Sequence, residues 1–230
     1  MFSLPICDIL GLHRRAGACS RRNECLESKK AAGVNPRPTK GIWALPDAFV
    51  IQMRNWCDKR RLYMFSIEVS NLHWMDEVKQ AEDLCLHGDA IAVIGDEVLK
   101  YDNATVSSTA LYLLKSIKEN HKIYESNQML PCCGFFMIAN ETLSKVDICG
   151  CPNGVDWSVL HENDDVILIT ETGKRTVIPI DEYRKTVFAF ADLIESFYNS
   201  AEDKIIPEDE FDRNGYVAFW NEWRALRYEL

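Results

Sequence analysis

The sequence predicts an α+β protein: a mostly antiparallel, meandering sheet with about three helices packed on it, behind a basic, partly helical or disordered N-terminal extension. Three observations carry this prediction. Short β-branched runs between residues 133 and 180 follow one another with only turn residues between them, so they must pair antiparallel. Three stretches, near 106–121, 181–198 and 216–226, repeat their apolar residues at helical spacing. Charge also divides the chain: residues 1–63 hold 12 Lys+Arg against 5 Asp+Glu (+7), and residues 64–230 hold 14 against 30 (−16).

Taken in order, residues 1–63 form a leader rich in Arg pairs and small residues, punctuated by Pro36, Pro38 and Gly41, with a helix conceivable only over 42–62. Two readings of it stand. It is a basic arm for nucleic acid or an acidic surface, or an appendage, with the true start at Met64. Residues 64–230 are expected to fold without it. In that acidic domain, 82–88 (EDLCLHG) and 90–100 (AIAVIGDEVLK) read as strands of a hairpin turning at Gly88-Asp89. A helix follows over 106–121, capped by Asn103 or Thr105, with Val106, Ala110, Leu113, Leu114 and Ile117 facing inward. Strands are expected at 133–139, 144–149, 156–161, 165–171 and 175–180. Their turns are Asn140-Glu141, Pro152-Asn153-Gly154, Asn163-Asp164 and Thr172-Gly173-Lys174. Asp181 is the expected cap of a helix whose buried stripe runs from Tyr183 through Val187, Phe190, Ala191 and Ile194 to Tyr198. Tyr216, Phe219, Trp220, Trp223 and Leu226 mark a short aromatic helix whose two indoles form its docking seam.

An apolar fraction of 47% and six tryptophans provide a packed core. No apolar run approaches the roughly 18 residues of a membrane span. The opening MFSLPICDILGL lacks a basic n-region and is broken by Asp8, unlike a secretory signal. A cytoplasmic protein is therefore expected. Its nine cysteines, an odd count with Cys132 and Cys133 adjacent, are expected to be reduced.

Signatures of common chemistry are missing from the sequence. There is no G-x-S-x-G elbow and no phosphate-binding glycine loop, and the five histidines have no motif spacing. The most suggestive constellation is of soft ligands. Residues two apart on a strand share a face, so Cys85 and His87 make one pair and Cys149 and Cys151 another. If the pairs met they would form a zinc set, although the spacings C-x-H and C-x-C differ from the usual C-x₂-C knuckle. The other reading has reduced thiols filling tight places in a sheet. No cofactor is expected, with zinc on Cys85, His87, Cys149 and Cys151 as the alternative.

At DLCLHG (83–88), TVSSTALYLLKSI (105–117), QMLPCCG (128–134), GCPNGVDWSV (150–159) and FADLIESFYNS (190–200), the chain resembles small bacterial accessory proteins. Some of these have the look of immunity proteins from polymorphic toxin systems. The resemblance spans roughly residues 74–230 and supplies no catalytic residue. It implies a stoichiometric binder whose acidic surface occludes a basic toxin domain, in keeping with the −16 domain. The expected contacts are Glu208, Asp209, Glu210 and Asp212, in an acidic stretch that also contains Glu202 and Asp203. The plainer reading of that stretch is a solvated linker whose carboxylates favour the start of the next helix. Two alternatives to the immunity reading stand: a zinc protein or enzyme using the Cys/His cluster, and a regulatory or structural subunit that associates through the helix at 216–226. Nucleic acid is expected only through residues 1–63, and no membrane partner is expected.

Overall fold

In the computed structural model residues 65–76, 78–124, 127–134 and 136–228 are described. The expected basic extension at 1–63, with its conceivable helix at 42–62, lies outside them. Among the described residues eight strands and three helices follow in order, and every strand pairing there is antiparallel. The α+β class is thus observed, with the strands divided among three sheets rather than one meander.

The first sheet consists of β1 (Phe65–His73), β2 (His87–Ile94) and β3 (Glu97–Thr105), in that order. Phe65 and Ile67 of β1 alternate inward, opposite Ile94 and Ala92 of β2. The hairpin turns at Gly95-Asp96, not at Gly88-Asp89, and the run 90–100 is therefore two strands. Gly95 supplies φ +63°, which the first position of so tight a turn requires. Gly88 instead sits inside β2, beside a register shift. Residues 83–86 alternate like a strand but form none. Side chains replace the ladder there: the Leu86 N–H donates to Ser107 Oγ and to Tyr198 Oη, both at 3.2 Å, and Tyr198 O–H donates to the Leu84 carbonyl at 2.8 Å. Strand β1 was not foreseen.

Helix α1 (Val106–Lys115) leaves β3 without a loop. It is buried on nearly all sides, including Ser107, Ser108 and Thr109, because it runs through the centre and meets both other helices. It ends six residues before the expected His121: Ser116 Oγ turns back to the Leu113 carbonyl (2.7 Å) and meets Tyr183 Oη (2.6 Å). His121 then bridges to Val159. Thr105 holds the N-cap position but makes no side-chain capping bond, and its Oγ1 faces His87 Nε2 at 3.3 Å.

The second sheet pairs β4 (Phe136–Ala139) with β5 (Val146–Cys149); the third orders β6 (Trp157–Glu162), β7 (Asp165–Thr170) and β8 (Arg175–Pro179) as a meander. These agree with the expected strands to within a few residues, as do their turns. Trp157, Val159, Val166 and Leu168 form the inner face of the third sheet, and Phe65 lies between the rings of Trp157 and Tyr183.

Helix α2 (Ile180–Ser200) starts directly from β8. Pro179, not Asp181, is its N-cap; Asp181 lies in the first turn and pairs with Arg184 at 3.0 Å. Of the foreseen stripe, Tyr183, Val187, Phe190, Ala191 and Ile194 are buried and Tyr198 is half-buried. Helix α3 (Glu210–Tyr228) begins six residues earlier than the aromatic pattern indicated, since Asp209 Oδ1 accepts the N–H groups of Phe211 and Asp212 at 2.9 and 3.1 Å. Trp223 is fully buried against the domain, as foreseen, and Trp220 is only half-buried. Among the described residues no helix is long and apolar enough to cross a membrane.

Candidate functional site

Two places gather functional chemistry. The first is a groove of about 450 Å³ where α2, the 201–209 segment and α3 converge. The segment is tied to the domain at two points while most of its residues stay exposed. Its Ile205 N–H donates to the Ala81 carbonyl (2.8 Å), and the Lys204 ammonium donates to the Gln80 carbonyl (2.6 Å) while lying 3.0 Å from the centre of the Trp74 ring. Burial is the main cause that pulls the Lys204 pKa down to about 8, opposed by Asp83, Cys85 and Glu202. With Lys204 turned onto Trp74, Glu195, Glu202 and Asp203 outnumber Arg224 around the groove, whose floor is Tyr198, Tyr216 and Trp220. The Trp220 ring meets Tyr198 edge-on at 5.0 Å and Tyr216 at 6.4 Å.

Of the expected contact residues, Glu208, Asp209, Glu210 and Asp212 are all exposed. The Asp209 carboxylate caps α3, and Glu210 and Asp212 lie in the first turn, where negative charge favours the helix. Glu208 offers its carbonyl to Arg213 at 2.8 Å.

The second place is a cysteine corner beside a cavity of about 570 Å³. The loop before β4 and the loop after β5 are tied by the paired Leu130–Val155 backbone bonds (2.9 and 3.0 Å) and by a Cys132–Cys151 disulfide with Cα atoms 6.8 Å apart. The expectation that every cysteine is reduced is corrected at this pair: two loops distant in sequence are brought side by side, which Cys spacing could not reveal. Cys133 Sγ accepts the Cys151 N–H at 3.0 Å. The Thr105 N–H holds the Pro131 carbonyl at 2.9 Å and so fixes this loop to the start of α1.

The four residues of the zinc alternative do not converge as a set. Among the described residues, the group of three His, Cys, Asp or Glu side chains whose ligand atoms all lie within 4.8 Å of one another is Cys132, Cys133 and Cys151. Cys149 ends β5 opposite Phe136. Cys85 and His87 line the cavity with Cys132 and Cys133, but in structural roles. Cys85 donates its S–H to the Gly134 carbonyl (3.6 Å), and burial, reinforced by Asp83, pushes its thiol up to about 12. His87 Nδ1 faces the Cys85 carbonyl at 3.0 Å and therefore carries the proton, leaving Nε2 to accept from Thr105 O–H. Burial lowers the His87 pKa.

A His–Asp pair that sequence spacing did not reveal joins His121 Nε2 to Asp156 Oδ1 at 2.8 Å. The same oxygen accepts the Met129 and Trp157 N–H groups at 3.1 and 2.9 Å, so the carboxylate organises the entry to β6. Comparison with known protein families, curated proteins and solved structures finds no match for the chain.

Proposed function

We propose that this chain is a non-catalytic binding protein, an immunity- or antitoxin-type inhibitor that captures a basic toxin domain on the α2–α3 groove. The observation that carries the reading is the pairing of an aromatic floor (Tyr198, Tyr216, Trp220) with a rim on which Glu195, Glu202 and Asp203 stand against Lys204 and Arg224, the lysine being turned onto Trp74. The half-buried Tyr198 and Trp220 beside carboxylates suit an inserted Arg or Lys: the ring faces attract the cation and exclude water, and the carboxylates complete its hydrogen bonds. The −16 balance of residues 64–230 would steer such a partner from a distance, so association slows as salt rises. Because Asp209 is engaged in capping, the groove, rather than the acidic stretch alone, is the centre of the proposed contact.

The test is affinity capture from the native host with the full chain, at low and at moderate salt. A strongly basic protein should be retained at low salt and released as salt rises. The variant Glu202→Lys/Asp203→Lys, changed only at exposed side chains, should lose it at least about tenfold, with an unchanged melting curve. Recovery of no basic protein, or equal recovery by the variant, refutes the reading.

A further inference from the structure

The cysteine corner brings three sulfurs from two crossing loops within 4.8 Å of one another. Contacts other than the disulfide hold the loops together. Besides the Leu130–Val155 pair and the Thr105–Pro131 bond, the Asn127 side chain donates to the Ile148 carbonyl and accepts the Gly150 N–H at 3.5 Å. A methyl group at Gly150 would stand 2.6 Å from the Cys133 carbonyl oxygen, so the close approach of the two loops depends on a glycine there. The sulfurs are therefore positioned by the fold as well as by their own bond.

Zinc–thiolate bonds of about 2.3 Å place sulfurs roughly 3.8 Å apart around a tetrahedral ion, a spacing this corner reaches with side-chain adjustments of about 1 Å. The Cys151 N–H already points at Cys133 Sγ, a bond of the kind that steadies a thiolate ligand. Cys132 and Cys133 also face the 570 Å³ cavity, so an ion held among the three sulfurs has its fourth position on the cavity side.

We infer that two-electron reduction of the Cys132–Cys151 bond converts this corner into a three-thiolate site for one Zn²⁺. A dithiol reductant supplies two electrons and two protons, the S–S bond breaks into two thiols, and the reductant leaves as its own disulfide. Zn²⁺ then displaces three protons, one from each of Cys132, Cys133 and Cys151. A disulfide-class oxidant reverses the sequence: it takes two electrons as the Cys132–Cys151 bond re-forms and the ion is released. The site is independent of the groove, so its test does not depend on the toxin-binding reading.

The test uses the full chain, oxidised and anaerobically reduced, titrated with Zn²⁺ against a chromophoric chelator and with Co²⁺ as a spectroscopic probe. The reduced chain should bind one equivalent and show sulfur-to-cobalt charge transfer; the oxidised chain should bind less than about 0.2 equivalents. Cys133→Ser leaves the disulfide intact, so its oxidised form should melt normally, yet after reduction its Zn²⁺ affinity should fall at least about tenfold and its charge-transfer band by about a third. A variant with Cys7, Cys19, Cys25 and Cys57 changed to Ser should retain the equivalent. The inference is overturned if the reduced chain binds less than about 0.2 equivalents, if Cys133→Ser binds with unchanged affinity and spectrum, or if the four-serine variant loses the ion.

Discussion

Replacing Glu222 by glutamine is the sharpest test of how α1, α3 and β5 are joined. Glu222 projects from α3 with a side chain only 7% exposed, and its Oε2 accepts the Val146 N–H at 2.8 Å and the Lys115 ammonium at 3.2 Å. Lys115, at the end of α1, also donates to the Val146 carbonyl at 2.7 Å. One carboxylate therefore connects α3, α1 and the start of β5. Glutamine keeps the shape and an acceptor for Val146 but leaves the Lys115 charge without its counter-ion. Removing one partner of a fully buried pair costs about 3–5 kcal/mol. Lys115 is 21% exposed and can partly re-solvate, so the expected loss is about 2–3 kcal/mol. With a urea slope of about 2 kcal/mol/M, the unfolding midpoint should fall by roughly 1–1.5 M. The double variant Glu222→Gln/Lys115→Met should recover much of that loss, because the stranded charge is gone. A loss below about 0.5 kcal/mol, or additivity of the two single changes in the cycle, refutes the argument.

Gly215→Ala sets helix propensity against space: alanine favours a helix by about 1 kcal/mol, but its methyl would overlap the Met137 carbonyl oxygen with Met137 Cβ only 2.8 Å away. Overpacking of about 1–3 kcal/mol should win, lowering the melting temperature by several degrees. Tyr198→Phe removes the donor to the Leu84 carbonyl and an acceptor for the Leu86 N–H. Ser107 still serves Leu86, so the expected loss is about 1–2 kcal/mol in urea unfolding; an unchanged midpoint would show that the 83–86 segment is held otherwise. Since burial favours neutral His87 in the fold, the unfolded chain takes up its proton first as pH falls. Its contribution is complete above the ordinary value of 6.5 and is lost as pH falls through the depressed folded value. Urea midpoints measured across about pH 8 to 5 should therefore fall less steeply for His87→Gln than for the parent chain.

Local pattern alone predicted much of this molecule. β-branched runs between Asn- and Gly-containing turns located β4 to β8, and the apolar stripe from Tyr183 to Ile194 identified α2, because strand and helix periodicity are written residue by residue. The charge reversal near residue 63 and the burial of Trp223 were equally legible. Local pattern failed where side chains from far along the chain replaced backbone partners. Residues 83–86 alternate like a strand, but Tyr198 and Ser107 take their hydrogen bonds. Residues 116–121 continue a helical pattern, yet Ser116 turns to Tyr183 and His121 to Val159. Glu222 looked like one carboxylate among 35 acidic residues until the fold buried it against Lys115. The cysteines show the division most clearly. Spacing of two on a strand grouped Cys149 with Cys151 and Cys85 with His87, whereas the crossing of two loops 19 residues apart joined Cys132 to Cys151 and set Cys133 beside them. Sequence periodicity reports only which face of its own element a residue occupies; which elements then meet depends on burying those faces together, and only the tertiary structure decides that.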